Sequence, residues 1–178
     1  TVKNALVKLK SIRGRVEGID AGQNFDVVVD YAHTADSLEK LYSAFPHSRK
    51  ICVLGNTGGG RDKWKRPLMA KVAEKYCEDI IFTNEDPYDE DPRAIVEEMA
   101  EGIENKHYEI IMDRREAIHT AITRAKKGDA VLISGKGTDP YIMMAHGKKM
   151  PWDDATVAKE ELEKVLIEQK QKGYKEEE

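Results

Sequence analysis

Five short runs rich in β-branched residues, separated by stretches with apolar residues at helical spacing, constrain this chain more than any other feature. Asp26 to Val29, Ile51 to Leu54, Asp79 to Thr83, Glu109 to Met112 and Ala130 to Ser134 are nearly continuous in apolar residues. A strand with no polar alternation is buried on both faces, which happens when crossover helices cover both sides of a parallel sheet. The pattern predicts a doubly wound α/β fold: a Rossmann-like, mostly parallel sheet with helices on both faces.

The intervening segments carry the helical stripes such a sheet needs. Ala117, Ile118, Ala121, Ile122 and Ala125 repeat at the α period, as do Leu68, Val72 and Ala73, and Ile95, Met99 and Ile103. Two helix starts are marked by side chains that can take up free backbone N–H groups: Asp91 before Pro92, and Asp113 with Glu116 three residues on. Gly14 to Asn24 is turn-rich and predicts an entry hairpin at one sheet edge. Ala145 to Trp152 reads as a turn returning into a last helix from about Asp154, with Ala158, Leu162, Val165 and Leu166 on one face. No internal repeat is present.

Composition narrows the function classes. A chain of 178 residues that is 40% hydrophobic can bury one substantial core, so one domain is expected. The net charge of -4 arises from mixed charges, with no basic stripe, which argues against nucleic-acid binding. Cys52 and Cys77 each lie in an apolar run, without metal-ligand spacing, and are read as buried thiols of a protein in the reducing cytoplasm. No stretch is long and apolar enough to span a bilayer, and Thr1 to Lys10 lacks the pattern of a signal peptide, so neither a membrane partner nor export is expected.

Ligands of open α/β sheets gather beyond the carboxyl ends of the strands, so the segments after the strands matter most. Asp30-Tyr31-Ala32-His33-Thr34 places an acid and an imidazole at a helix entrance, where Thr34 can cap and His33 can simply bond the backbone. Gly55 to Lys63 contains the triplet Gly58-Gly59-Gly60, whose amides could approach an anion, although on its own it reads rather as a flexible turn followed by a solvated cationic helix start. No lysine followed by serine or threonine stands at the spacing of a Walker A loop. Asn84 to Asp91 is rich in carboxylates; a following helix dipole explains Asp89, Glu90 and Asp91 better than Glu85 and Asp86. Gly135-Lys136-Gly137-Thr138-Asp139 is again glycine-rich at a strand end, and a plain turn competes with a site there.

Taken in order, Gly14-Arg15-Val16-Glu17, Asp30-Tyr31-Ala32-His33-Thr34, Gly58-Gly59-Gly60-Arg61-Asp62-Lys63 with Lys65-Arg66-Pro67, and Gly135-Lys136-Gly137 resemble the signature of Mur ligase C-terminal domains, in particular the UDP-N-acetylmuramoyl-tripeptide synthetase branch. The likeness runs from about Arg13 to about Leu166. It implies an ATP-dependent acid-amino-acid ligase of peptidoglycan precursor synthesis. ATP and Mg would be bound mainly by a central domain, the uridine nucleotide by an N-terminal one, and this chain alone would be inactive. The partners implied are UDP-N-acetylmuramoyl-dipeptide, a free diamino acid and the enzyme's own N-terminal and central domains.

The same resemblance gives a linker remnant over 1–12 and the C-terminal domain over 13–168; the stretch 169–178 has almost nothing apolar to bury and is expected to be a frayed or disordered tail. The resemblance assigns Arg15, Asp30 and His33 to the nucleotide, Arg61 to the amino acid's carboxylate, and Glu85, Asp86, Pro87, Tyr88, Gly135 and Asp139 to the amino-acid pocket. It implies no metal ligand and no proton-transferring residue. A planar guanidinium suits a carboxylate, and an activated acyl phosphate needs an aligned amine more than an acid or base.

One departure matters. Members that add meso-diaminopimelate carry Asp-Asn-Pro-Arg where this chain has Glu85-Asp86-Pro87-Tyr88, so lysine or ornithine is the expected substrate. The competing readings are the closing domain of a folylpolyglutamate-type amide ligase, a stand-alone nucleotide- or anion-binding Rossmann-like module, and a structural interaction domain. Against the Rossmann-type module, Gly-x-Gly-x-x-Gly is absent after the first strand.

Overall fold

The computed structural model describes residues 12–60 and 62–176. The linker segment before Ile12 and Arg61 lie outside the described residues. The elements run β1 (Glu17–Gly18), β2 (Asp26–Asp30), α1 (Ala35–Ser43), β3 (Lys50–Leu54), α2 (Lys65–Tyr76), β4 (Asp79–Phe82), α3 (Pro92–Ala100), β5 (Glu109–Ile110), α4 (Arg114–Arg124), β6 (Ala130–Ser134), β7 (Tyr141–Met143), β8 (Lys149–Pro151) and α5 (Asp154–Glu176).

Six strands form one sheet in the order β1-β2-β6-β3-β4-β5, all parallel except β1, which pairs antiparallel with β2 at the edge. The predicted α/β fold with an edge hairpin is therefore the observed one. β2, β6 and β3 sit side by side because their β-branched runs can be covered twice. Successive residues point to opposite faces, so Val28, Cys52, Leu54 and Leu132 pack under α1, α2 and α3. Val27, Val29, Val53 and Ile133 pack under α4 and α5. Ala117, Ile118, Ala121 and Ile122 are fully buried there, against Ala158 and Leu162 of α5.

The caps form as the sequence predicts. Asp91 accepts a hydrogen bond from the Arg93 amide, and Asp113 from the amides of Arg115 and Glu116. Thr34 and Ser37 make a reciprocal capping box at the start of α1.

Several expectations are corrected. Met69, Ala70 and Ala73 form the buried face of α2, whereas Leu68 points outward. β5 has two residues rather than four, and α3 ends before Ile103, which packs beside the core from the following loop. Within Ala145 to Trp152 lies β8, which pairs with β7 as a small antiparallel hairpin. α5 runs as one helix over Asp154–Glu176. Cys52 and Cys77 are buried as expected but joined as a disulfide, with Cα atoms 6.1 Å apart, so they are not free thiols. No described helix is long and apolar enough to cross a membrane.

α5 is tied to the strand ends by a buried ion pair. Arg114, at the start of α4, donates from Nε and Nη2 to the two oxygens of Asp154 at 2.8 and 2.7 Å and from Nη2 to the Ser134 carbonyl at 2.9 Å. Both side chains are essentially inaccessible.

Candidate functional site

The parallel register brings the strand ends level: Asp30 lies opposite Ser134, Val53 opposite Ile133, and Leu54 opposite Phe82. The loops that follow β2, β3, β4 and β6 therefore leave the sheet side by side. Their convergence is fixed by the ammonium of Lys136, which donates to both oxygens of Asp86 at 2.8 Å and to Asp139 at 3.1 Å. The Asp86 carboxylate also accepts from the Met143 amide at 2.7 Å, hanging β7 on the same point. The Asp86 carbonyl accepts from the Gly58 amide at 2.7 Å, which adds the glycine loop.

Glu85 stands behind this bridge. Its Oε1 accepts from the Thr57 hydroxyl at 2.8 Å, and its buried Oε2 has no partner among the described residues. Oε2 lies against Gly135, where any Cβ would come within 2.4 Å of it, and φ of +111° there also demands glycine. Burial pushes the Glu85 carboxyl above its ordinary range, opposed by the charge of Arg114 and the Thr57 hydrogen bond. Pro87 is buried behind Gly58, and Tyr88 lays its ring against Gly59 while its amide donates to the Met143 carbonyl at 3.0 Å. The structure thus brings Glu85, Asp86, Pro87, Tyr88, Gly135 and Asp139 to one rim.

Two amides of the glycine triplet are engaged within the protein. Gly58 donates to Asp86, and Gly60 donates to the Glu90 carboxylate at 2.6 Å. That amide, with Lys63 and Arg66, lowers the Glu90 carboxyl to about 2. The acids are held within the protein too: Asp86 is paired with Lys136, and Glu85 is buried with Oε1 on the Thr57 hydroxyl, so neither is the exposed acid on which the lysine or ornithine expectation rested.

On the other side of the rim, the Arg15 guanidinium sits 5.2 Å from the centroid of the Tyr31 ring. Asp30 accepts from the Val16 and Ala32 amides, both at 2.7 Å, so its carboxylate braces the turn that carries Arg15. His33 is exposed, with Nδ1 2.8 Å from the Tyr31 carbonyl, the backbone contact weighed for it from sequence. Arg15 lines a cavity of about 340 Å³, and His33 lines a second of about 270 Å³. Tyr31 and Asp139 line both, forming a shared wall.

Val16, Asp62 and Tyr88, three non-glycine residues on these loops, have φ near +50°. Such backbone costs energy and collects where a site must be held in shape.

The first cavity, with its stacked cation and the close approach of Gly14 to Thr138, has the donors and aromatic face to border a nucleotide. No group of three or more His, Cys, Asp or Glu among the described residues is placed to hold a metal. Lys136, Tyr31, Thr57 and Lys65 belong to the site although sequence reasoning did not select them. The lysine between two glycines after a buried strand was the available signal for Lys136.

The family described as Mur ligase, glutamate ligase domain matches residues 14–137. The UDP-N-acetylmuramoyl-L-alanyl-D-glutamate--2,6-diaminopimelate ligase of Bacillus cereus is 46% identical over 164 residues, covering 90% of this chain and 33% of that protein. The enzyme of the same name from Bacillus licheniformis is 45% identical over 161 residues, covering 89% and 33%. A solved structure of a ligase of this name superposes with a TM-score of 0.78 at 33% identity, over 90% of this chain and 33% of that one. A bifunctional folylpolyglutamate synthase/dihydrofolate synthase from Yersinia pestis shares the fold, with a TM-score of 0.54 at 17% identity over 72% of this chain and 29% of that one. The chain spans about a third of the length of the relatives it matches. On the family match, which covers the strand-end motifs from Gly14 to Gly137, the chain belongs to the Mur ligase C-terminal, glutamate ligase domain family.

Proposed function

We propose that this chain is the domain of an ATP-dependent ligase that presents a diamino acid to an activated UDP-N-acetylmuramoyl-dipeptide and closes over the nucleotide. The observation that carries this reading is the Asp86–Lys136–Asp139 bridge, which gathers three loops and a hairpin around a cavity beside the Arg15–Tyr31 stack. A rim held this rigidly can fix an amine relative to an acyl phosphate, and placement is what such an aminolysis gains most from. ATP and Mg bind mainly to parts of the enzyme beyond this chain, with Arg15, Asp30 and His33 bordering the nucleotide on closure. Arg61 takes the amino acid's α-carboxylate, and the rim residues from Glu85 to Tyr88, with Gly135 and Asp139, form the pocket wall. Residues 13–168 make the domain, and 1–12 belong to its connection. A ligase using ATP and a uridine nucleotide works in the cytoplasm.

Diaminopimelate, the amino acid in the names of the relatives, is favoured over lysine or ornithine because the acids meant for a lone ammonium are engaged internally. The full-length protein, given ATP, Mg, UDP-N-acetylmuramoyl-dipeptide and equal amounts of meso-diaminopimelate, lysine and ornithine, tests this. Mass spectrometry is expected to show the diaminopimelate adduct first. No adduct with any of the three contradicts the ligase reading; a lysine or ornithine adduct in excess contradicts the choice of substrate.

A further inference from the structure

A third cavity, of about 430 Å³, lies between the β7–β8 hairpin and the first turn of α5, with Pro140, Met150, Pro151, Trp152 and Val157 supplying its apolar wall. Its polar side chains are engaged within the protein. Arg115 donates to Glu160 and Glu161 at 2.8 and 2.7 Å, the Thr156 hydroxyl to Asp153 at 2.6 Å, and the Trp152 indole to Asp154 at 2.8 Å. Asp153 also takes the Arg13 guanidinium. The groove therefore offers an occupant an apolar face, with its one lining cation already shared by two acids. Met150 is 41% exposed, and Ile12, next to the Arg13 that grips the groove wall, is 62% exposed. Apolar surface left open at such a place marks contact with another protein surface rather than with a charged ligand.

What covers the groove follows from how the chain reaches it. Arg13 pairs with Asp153 in the groove wall, so the polypeptide ahead of Ile12 joins the domain at the groove's edge. A surface tethered through a short connection is presented at an effective concentration on the order of millimolar, above that of a second copy at ordinary protein concentrations. We propose that this groove is the docking face for the neighbouring domain of the same ligase, reached through residues 1–12. The proposal rests on the ligase reading above, in which that connection leads to the part that binds ATP. Pro140 lines both the groove and the first cavity, beside Arg15 and Tyr31. Docking there sets the nucleotide-facing rim against the domain that holds the nucleotide.

Hydroxyl-radical footprinting of the full-length protein, without ligand and with ATP and Mg, reads the contact residue by residue. In at least one of the two states Met150 is expected to oxidise as slowly as the buried Met69 and Met99, while Trp64, 71% exposed, oxidises freely. Met150→Glu places a charge in the contact and is expected to raise Trp152 oxidation in that state by about threefold or more. Leu68→Glu is the control: Leu68 is 42% exposed, but α2 covers the opposite face of the sheet from α5, and Trp152 is expected to react as in the wild type. Met150 oxidised well above Met69 and Met99 in both states, or a Trp152 rate that Met150→Glu does not move, overturns the proposal. Protection that deepens as protein concentration rises assigns the face to a second copy and also overturns it. Ligation is read separately: protection in a protein that ligates none of the three amino acids upholds the contact and removes only the ligase reading.

Discussion

Lys136 Nζ lies 2.8 Å from both carboxylate oxygens of Asp86, with the lysine side chain 1% exposed, although the two residues leave the ends of different strands. This pair makes three loops behave as one rim, because Asp86 also receives the Met143 amide and its carbonyl receives the Gly58 amide. Replacing Lys136 by Met leaves a buried carboxylate without its counter-charge, which is expected to cost about 3–5 kcal/mol. Urea denaturation measures it, and a loss below about 1 kcal/mol contradicts the role given to the bridge.

Gly58 is the second fixed point. A Cβ there would come 2.2 Å from the Pro87 carbonyl, and that atom is backbone, so it cannot swing aside. Gly58→Ala is expected to destabilise by about 1–3 kcal/mol and to loosen Tyr88 from the rim. Gly18→Ala, with nothing within 4 Å of the added methyl, serves as the control. Equal melting temperatures for the two variants contradict the argument.

Glu90 gives a pH signature. Its folded value of about 2 lies below the ordinary 4.5, held there by the Gly60 amide and the cations Lys63 and Arg66. A depressed carboxylate stabilises the fold fully above its unfolded value, and the contribution is lost as pH falls toward the folded one. The stability difference between wild type and Glu90→Gln is therefore expected to be constant above about pH 5 and to shrink steadily toward pH 2. A difference that does not change over that window contradicts the clasp.

The cysteines make a further point of contrast with the sequence reading. Denatured without reductant, the chain is expected to take up no alkylating reagent at Cys52 or Cys77, and to take up two equivalents after reduction. Full labelling before reduction contradicts the pairing.

Legibility from sequence followed the range of the interactions. β2, β3 and β6 were readable because continuous Val, Ile and Leu runs carry their own evidence of double burial. The β7–β8 hairpin was not, since only Ile142 of its six residues is buried and its anchors are Asp86 and Tyr88, more than fifty positions away. The disulfide escaped for the same reason: apolar context predicts burial of each cysteine but not their meeting across a turn of the fold. On α2 the predicted stripe holds at Val72 and Ala73 but fails at Leu68, because Met69 rather than Leu68 faces the core. In the site, residue types told which loops matter, but not that Asp86 would be neutralised from β6 or that Lys65 would stay unpaired among the described residues. Those facts depend on tertiary distances that spacing does not encode.

Asp139 offers the most direct access to the central claim, that this rim seats the amino acid. Its side chain is 38% exposed and lines both cavities, and Lys136 keeps Asp86 when it is removed. In the full-length enzyme, Asp139→Ala is expected to raise the KM for the amino acid by about tenfold or more while leaving the KM for UDP-N-acetylmuramoyl-dipeptide within about twofold of wild type. An amino-acid KM equal to that of the wild type would contradict the account.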